Sequence, residues 1–294
     1  MSDLPTITVI TPSYNQAEFL EATLKSVLEQ NYPNLQYGVV DGASTDGSRE
    51  ILEKYRPRIE AAGGFVLSEP DRGQVDALNK GLRRATGDVV CYINSDDTLL
   101  PGCLQTVGEH FAANPDCYWL LGDCQEIDPA GRVLQALTGA APRDLAHALI
   151  RVEPFMMPQP SVFWRRSLLD EHGLFDERFQ YSFDFEMWCR FLVAGHRPER
   201  IDAALATYRM HPQSKTCAEQ HRHLANKLII EAEYARHLAP HDRRRLRKRL
   251  GYRRRAHAVM TRSRGGLAVQ VLAKPWWLGS QQIRTALAGR EQAA

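Results

Sequence analysis

Residues 88–97 read Asp-Val-Val-Cys-Tyr-Ile-Asn-Ser-Asp-Asp, a mostly apolar run that ends on two adjacent carboxylates, Asp96 and Asp97. Close carboxylates repel and raise each other's pKa unless a positive charge intervenes. Hard divalent cations take such oxygens, and Mg2+ in particular is commonly held by one or two carboxylates together with substrate phosphates. The pattern predicts a metal–diphosphate site at the end of a buried strand. A turn or helix cap is the competing explanation, because Ser95-Asp96-Asp97-Thr98 stands shortly before Pro101 and residues of these types start helices.

Such a site needs elements that hold it, and the preceding chain alternates between two periodicities. Residues 6–11 are a β-branched run stopped by Pro12, and 17–30 carry apolar residues at 20, 24, 27 and 28. The first reads as a strand and the second as an amphipathic helix. Residues 35–40 form a second strand ending at Asp41-Gly42, and Asp46-Gly47-Ser48 opens a helix running to about Tyr55. A third strand at 65–67 and a helix marked by Val75, Leu78 and Leu82 precede the strand at 88–93. Strands alternating with helices predict a mostly parallel sheet covered on both faces.

In such sheets ligands lie beyond the carboxyl ends of the strands, at a topological switch point. Three of the four ends here carry carboxylates: Asp41 to Asp46, Glu69 to Asp71, and Asp96-Asp97. Arg72, beside Asp71, adds a planar cation suited to phosphate oxygens, although a surface ion pair would explain it equally. The first turn, Pro12-Ser-Tyr-Asn15, has no glycine, and no GKS or GKT occurs. A Rossmann dehydrogenase and a P-loop enzyme are therefore disfavoured.

Composition bounds the rest. The 294 residues are 44% hydrophobic, enough for a real core. No charged-then-apolar leader is expected at the start of the sequence, nor a spanning helix, since no 18-residue apolar stretch occurs. The six cysteines lack CxxC or zinc spacing, which predicts reduced thiols in a cytoplasmic protein. The net charge of +2 conceals an asymmetry: from Arg236 onward there are 15 Lys/Arg against two acids, so a tail of +13 follows a body of −11.

The succession from Thr8 to Ser48, TVITPSYNQAEFLEATLKSVLEQNYPNLQYGVVDGASTDGS, followed by DRGQVDALNKGLRRATGDVVCYINSDD at 71–97, closely resembles the family 2 inverting glycosyltransferases. The resemblance covers roughly residues 4–212 and implies the GT-A fold. That fold is a mostly parallel central sheet with flanking helices in a single nucleotide-sugar-binding domain. The expected domain is 1–215, with a donor half of about 1–100 and an acceptor half of about 101–215, followed by a helical basic extension over 216–294.

By resemblance Asp41 accepts the imide N–H of a uracil, with Thr11, Pro12 and Tyr14 lining the base pocket; a turn or cap role is the alternative for Asp41. Asn79 and Lys80 fall where the family places polar contacts to ribose or phosphate. Asp97 would ligate Mn2+ or Mg2+, and Asp96 would contact ribose or a metal-bound water, while Asn94 stands where many relatives have the leading Asp. His211 occupies the position of a family histidine that reaches the metal. Asp184, in Phe183-Asp184-Phe185-Glu186, matches the general base, with Glu186 as runner-up and a plain N-cap as the alternative. Trp164 and Trp188 are candidates to stack on acceptor sugars, or else pack in the core.

Residues 218–294 read as helical, with the densest cationic run at 241–255. Together with Pro275-Trp-Trp-Leu278, this run predicts docking on an anionic membrane surface, with a nucleic-acid partner disfavoured. An oligomer built through these helices is also open. The sequence therefore predicts a peripheral enzyme on the inner face of the membrane, moving a sugar from a nucleotide-diphosphate donor, most readily a UDP-sugar. The acceptor would be a hydroxyl of a glycan or lipid-linked oligosaccharide. The alternatives are a degenerate scaffold that binds nucleotide sugars and a sugar-1-phosphate nucleotidyltransferase; the latter usually starts with a Gly-rich loop missing here.

Overall fold

The computed structural model describes residues 4–150 and 157–262. The chain divides into two compact units, Met1–Ala218 and Glu219–Ala294. The strands are β1 (Ile7–Ser13), β2 (Leu35–Asp41), β3 (Phe65–Ser68), β4 (Val89–Tyr92), β5 (Thr98–Leu99), β6 (Trp119–Ile127), β7 (Val133–Leu137), β8 (Val162–Arg165) and β9 (Glu199–Arg209). The helices of the first unit are α1 (Ala17–Leu28), α2 (Ser48–Ala61), α3 (Gln74–Leu82), α4 (Cys103–Ala113), α5 (Leu145–Ile150), α6 (Ser167–His172), α7 (Phe183–Val193) and α8 (Lys215–Ala218). Those of the second are α9 (Gln220–Tyr234) and α10 (Pro240–Arg262).

All described strands join one sheet in the order β3-β2-β1-β4-β8-β6-β9-β5, with β7 paired to β6. Pairing is parallel across β3-β2-β1-β4, as the alternating pattern predicts. Beyond β4 it is mixed: β8 runs antiparallel to β4 and β6, and β7 antiparallel to β6, while β6 and β9 are parallel. The difference follows from the connections. A parallel neighbour needs a crossover of a dozen or more residues, whereas β6 and β7 are joined by the turn at Asp128 to Gly131, closed by the Gly131 N–H on the Asp128 carbonyl at 2.9 Å.

Alternation of side chains along the strands sorts the core into two faces. Ile7 and Val9 of β1, Tyr37 and Val39 of β2, and Val89 and Cys91 of β4 share a core cluster with Leu20 and Leu24 of α1, Leu52 and Ile59 of α2 and Phe111 of α4. On the opposite face α3 lies so near the sheet that a Cβ at Gly81 would stand 2.6 Å from Ile10 Cγ2. Every residue of β1 is buried, as expected for a strand covered on both sides.

The chain leaves β1 towards β2 and β3 on one side and returns to β4 on the other, so the strand order reverses between β1 and β4. Ile10 is the last β1 residue paired to β4, and its carbonyl takes the Ile93 N–H at 3.0 Å. Two residues on, Pro12 faces the same side and has no N–H to donate. The β1–β4 ladder can therefore end there without leaving a donor unsatisfied.

In the second unit, buried Glu231 of α9 pairs with Arg253 of α10. Arg244, Arg245, Arg247, Lys248, Arg254 and Arg255 of α10 are exposed, while Leu246 and Leu250 are buried. No helix among the described residues is long and apolar enough to cross a membrane. The Pro275 to Leu278 segment lies outside the described residues. None of the six cysteines is in a disulfide.

Candidate functional site

The loop after β4 gathers the first cluster. Asp97 is buried, with its Oδ1 accepting the Arg209 N–H at 2.7 Å and its Oδ2 the Asn94 side-chain amide at 3.2 Å. Burial pushes its pKa well up, and the neighbouring Asp96 charge adds to this. Thr23 of α1 donates to the Asp97 carbonyl at 2.7 Å, tying helix to loop. Thr23→Val keeps the shape but strands that carbonyl, and is expected to cost about 1–3 kcal/mol in urea unfolding.

Asp96 points differently. Its Oδ2 stands 2.9 Å from His211 Nε2, and the hydrogen bond raises the histidine's pKa. His211 is buried, tilted against the Phe19 ring at 4.8 Å. Arg209, from the end of β9, donates to the Asp96 carbonyl at 2.7 Å and to the Asp128 and Pro129 carbonyls at 3.0 and 2.9 Å. The carboxylate pair is thus fixed by a backbone-directed arginine that the sequence pattern did not single out. Each Asp97 oxygen thus meets one protein donor and keeps further acceptor capacity, while Asp96 lies beside the imidazole.

Asn94 explains its own departure from the resemblance. Its carbonyl takes Gln74 Nε2 at 2.7 Å, and its amide reaches both Asp97 and, at 3.4 Å, Gln159. An aspartate here would add a third carboxylate beside Asp97 where the amide now donates to it. Gln74 and Gln159 also escaped the sequence reading, since a lone glutamine carries no pattern.

The end of β2 forms the second cluster. Buried Asp41 accepts the Ser44 N–H at 3.0 Å, the Ser68 hydroxyl at 2.7 Å and the Ser44 hydroxyl. Three of about four acceptor sites on a carboxylate are then filled. Gly42 follows so tightly that a Cβ would meet Asp71 Oδ2 at 2.6 Å and Tyr14 Cδ2 at 3.2 Å. Gly42→Ala is expected to displace Asp71 and lower stability by about 1–3 kcal/mol, measured by thermal unfolding. Ala43, next in the loop, is held at φ 62°, a left-handed conformation that costs a residue with a Cβ. Tyr14 is 61% exposed, free to cover a ligand. The Ser13 hydroxyl, at the end of β1, is buried without a partner.

Several expected contacts are used elsewhere. The Thr11 hydroxyl is buried on the Tyr37 hydroxyl at 3.0 Å. Asn79 is spent on the Phe175 backbone, donating to its carbonyl at 2.9 Å and accepting its N–H at 3.0 Å. Arg72 pairs with Asp76 at 3.1 Å and Glu177 at 2.8 Å, and Lys80 with Glu69 at 3.0 Å and Asp76 at 3.5 Å. Glu186 is buried against Arg190 at 3.0 Å, and Arg190 in turn holds the carbonyls of His172 and Leu174. Trp164 and Trp188 are buried, and Trp164 packs edge-on against Tyr92 and Phe175. Core packing accounts for both rings, and neither offers a face to a sugar.

Asp184 is the second residue of α7, whose cap position is Ser182 at φ 54°. Its Oδ1 accepts the Phe185 N–H at 2.7 Å, so it is not the cap that its sequence position allowed. Phe183 packs on Tyr92 and Phe175, which makes an apolar residue the natural occupant of the position before Asp184. Burial raises the Tyr92 phenol well above its usual pKa, and the Asp184 and Asp97 charges raise it further. Asp97 and Asp184 thus both act on the Tyr92 phenol.

The family model for Glycosyl transferase family 2 matches residues 8–172. The chain belongs to this family. Among curated relatives, the putative teichuronic acid biosynthesis glycosyltransferase TuaG of Bacillus subtilis is 43% identical over 93 residues, 32% of this chain and 36% of that protein. The GalNAc(5)-diNAcBac-PP-undecaprenol beta-1,3-glucosyltransferase of Campylobacter jejuni is 28% identical over 193 residues, 63% of this chain and 59% of that one. The chain thus spans between about a third and three fifths of the length of these relatives. Among solved structures, S. aureus TarS 1-349 with UDP-GlcNAc superposes with a TM-score of 0.60 at 20% identity, covering 80% of this chain and 70% of TarS 1-349. The mannosyltransferase PcManGT of Pyrobaculum calidifontis, with GDP-Man and Mn2+, gives 0.57 at 22% identity, covering 97% and 83%. The fold is GT-A, with the family segment spanning β1 through α6.

Proposed function

We propose that the protein is a metal-dependent inverting glycosyltransferase that moves a sugar from a nucleotide-diphosphate donor to a hydroxyl of a glycan or lipid-linked acceptor. The observation that carries this reading is the Asp96–His211 pair beside buried Asp97, at the switch point between β1 and β4, with Asp97 and Asp184 both acting on the Tyr92 phenol. Carboxylate and imidazole together suit Mn2+, and carboxylate oxygens alone suit Mg2+. The charge crowded at Asp96 and Asp97 fits a cation, with Asp96 and His211 as its holders and Asp97 as the anchor of the loop. A divalent ion there would stabilise the charge that develops on the nucleoside diphosphate as it leaves.

The chain's own residues divide the remaining work. Asp41 keeps one acceptor site for a base N–H, which uracil, thymine and guanine each offer, and Tyr14 closes over the ring. Asp184 takes the proton of the acceptor hydroxyl as it attacks opposite the leaving group. The Mn2+ and nucleotide sugars bound by the structural neighbours, and the undecaprenol-linked substrate named for the Campylobacter relative, support this choice of partners. The six exposed cations of α10 among the described side chains suit an anionic membrane surface, at about 1 kcal/mol for each Lys or Arg close to it. A cytoplasmic enzyme resting on the inner face follows from that charge.

The test is calorimetric titration of the full chain with UDP-, GDP- and dTDP-sugars, with Mn2+ and with chelator. Binding of one donor that requires the metal is the expected result. No binding, or binding indifferent to metal, overturns the reading.

A further inference from the structure

At the other end of the β6–β9 ladder from Arg209, about 26 Å away at 3.3 Å per residue, lies a cluster that the transfer reaction does not use. His172 closes α6, and His196 follows the turn after α7, where Gly195 adopts φ 93°. Their rings are 5.4 Å apart. Glu171 Oε2 stands 3.7 Å from His172 Nε2 and 3.8 Å from His196 Nε2, and all three ligand atoms fall within 4.8 Å of one another. His196 is fixed from behind by the Trp119 indole N–H on its carbonyl at 3.1 Å and by the Tyr118 ring at 4.4 Å.

The spacing decides what the cluster is for. Both separations are too long for hydrogen bonds, whose N···O distances end near about 3.2 Å. They lie close to the roughly 3.4 Å edge of a tetrahedron with metal–ligand bonds of about 2.1 Å. His172 Nε2 is buried with no hydrogen-bond partner, a cost that native structures seldom leave unmet. Glu171 is 53% exposed at its side chain, so a fourth position opens to water.

We propose that Glu171, His172 and His196 form a Zn2+ site that fastens the end of α6 to the turn between α7 and β9. Two imidazoles and a carboxylate are a zinc set, and without thiolate they disfavour softer ions. A second triad, His110, Cys117 and Glu199, also lies within 4.8 Å but makes a weaker case. His110 already bonds Glu199 at 2.8 Å, and burial pushes the Cys117 thiol up to about 12, against the deprotonation that ligation needs. The ion would hold α7 at its far end, away from Asp184.

The test uses the full chain carrying Asp96→Ala, which removes a ligand at the donor cluster. After chelator treatment it is titrated with Zn2+ against a chromophoric competitor, and with Co2+ by absorption. The expected result is one equivalent of Zn2+, a rise in melting temperature, and a cobalt spectrum without thiolate charge transfer. Adding His172→Gln or His196→Gln should abolish the binding. Glu171→Gln, at a largely exposed position, should weaken it about tenfold or more even if the histidine variants fail to fold. Absence of stoichiometric Zn2+ binding, binding unchanged by Glu171→Gln, or a thiolate-to-cobalt band would each overturn the proposal.

Discussion

Asp184→Asn is expected to slow sugar transfer by about 10²–10⁴-fold while leaving the affinity for the nucleotide sugar unchanged. The amide keeps the volume and the Phe185 N–H contact of the carboxylate but cannot take a proton. Asp184 sits on the first turn of α7, outside the Asp96–Asp97 loop, so its replacement by the isosteric amide should leave the donor cluster in place. Steady-state rates with calorimetric donor binding separate the two effects. A variant that transfers at the wild-type rate would remove Asp184 from the chemistry and leave the acceptor proton to another group. Glu186 is a poor successor, because its ion pair with Arg190 at 3.0 Å braces three loop carbonyls from His172 to Leu174.

Asp96→Ala should abolish metal-dependent donor binding and reduce transfer by about 10³-fold or more, since removing one preorganised stabiliser of developing charge typically costs about 10²–10³ and this change removes the ion as well. The contrast with Asp97→Asn is informative. Asp97 is held by the Arg209 N–H and the Asn94 amide, so replacing it is expected to lower stability first and metal affinity second. Donor titration with and without Mn2+, run beside urea unfolding, separates these cases. If Asp97→Asn loses the metal while Asp96→Ala keeps it, the roles assigned to the pair must be exchanged.

Much of the donor half was legible in the sequence because its elements are regular and its strand ends are marked by carboxylates. The parallel order β3-β2-β1-β4 follows from alternating strand and helix patterns, and Asp41, Asp96 and Asp97 stand where those strands stop. The second half was harder to read. β8 is four residues long and β5 two, too short for periodicity to reveal a partner or a direction. The site residues that sequence reasoning missed share one property: they act through backbone or through an amide. Arg209 reaches the Asp96, Asp128 and Pro129 carbonyls from the end of a strand, and Gln74 and Gln159 meet at Asn94 across 85 residues of sequence. Asn79 and Thr11, placed at the site by resemblance, hydrogen-bond the Phe175 backbone and the Tyr37 hydroxyl. Pattern reports residue type, and only the packed chain reports which groups are already satisfied.

Pro12 carries a thermodynamic consequence. The gap between β1 and β4 is written into the covalent chain, because an imino nitrogen stands where the ladder would otherwise continue. A nucleotide that bound there would not have to pull two paired strands apart. Its association should therefore show little coupled refolding, with a heat-capacity change set by the surface it covers. Hydrogen–deuterium exchange at Ile10 and Ile93 should then be nearly the same in the free and the donor-bound protein.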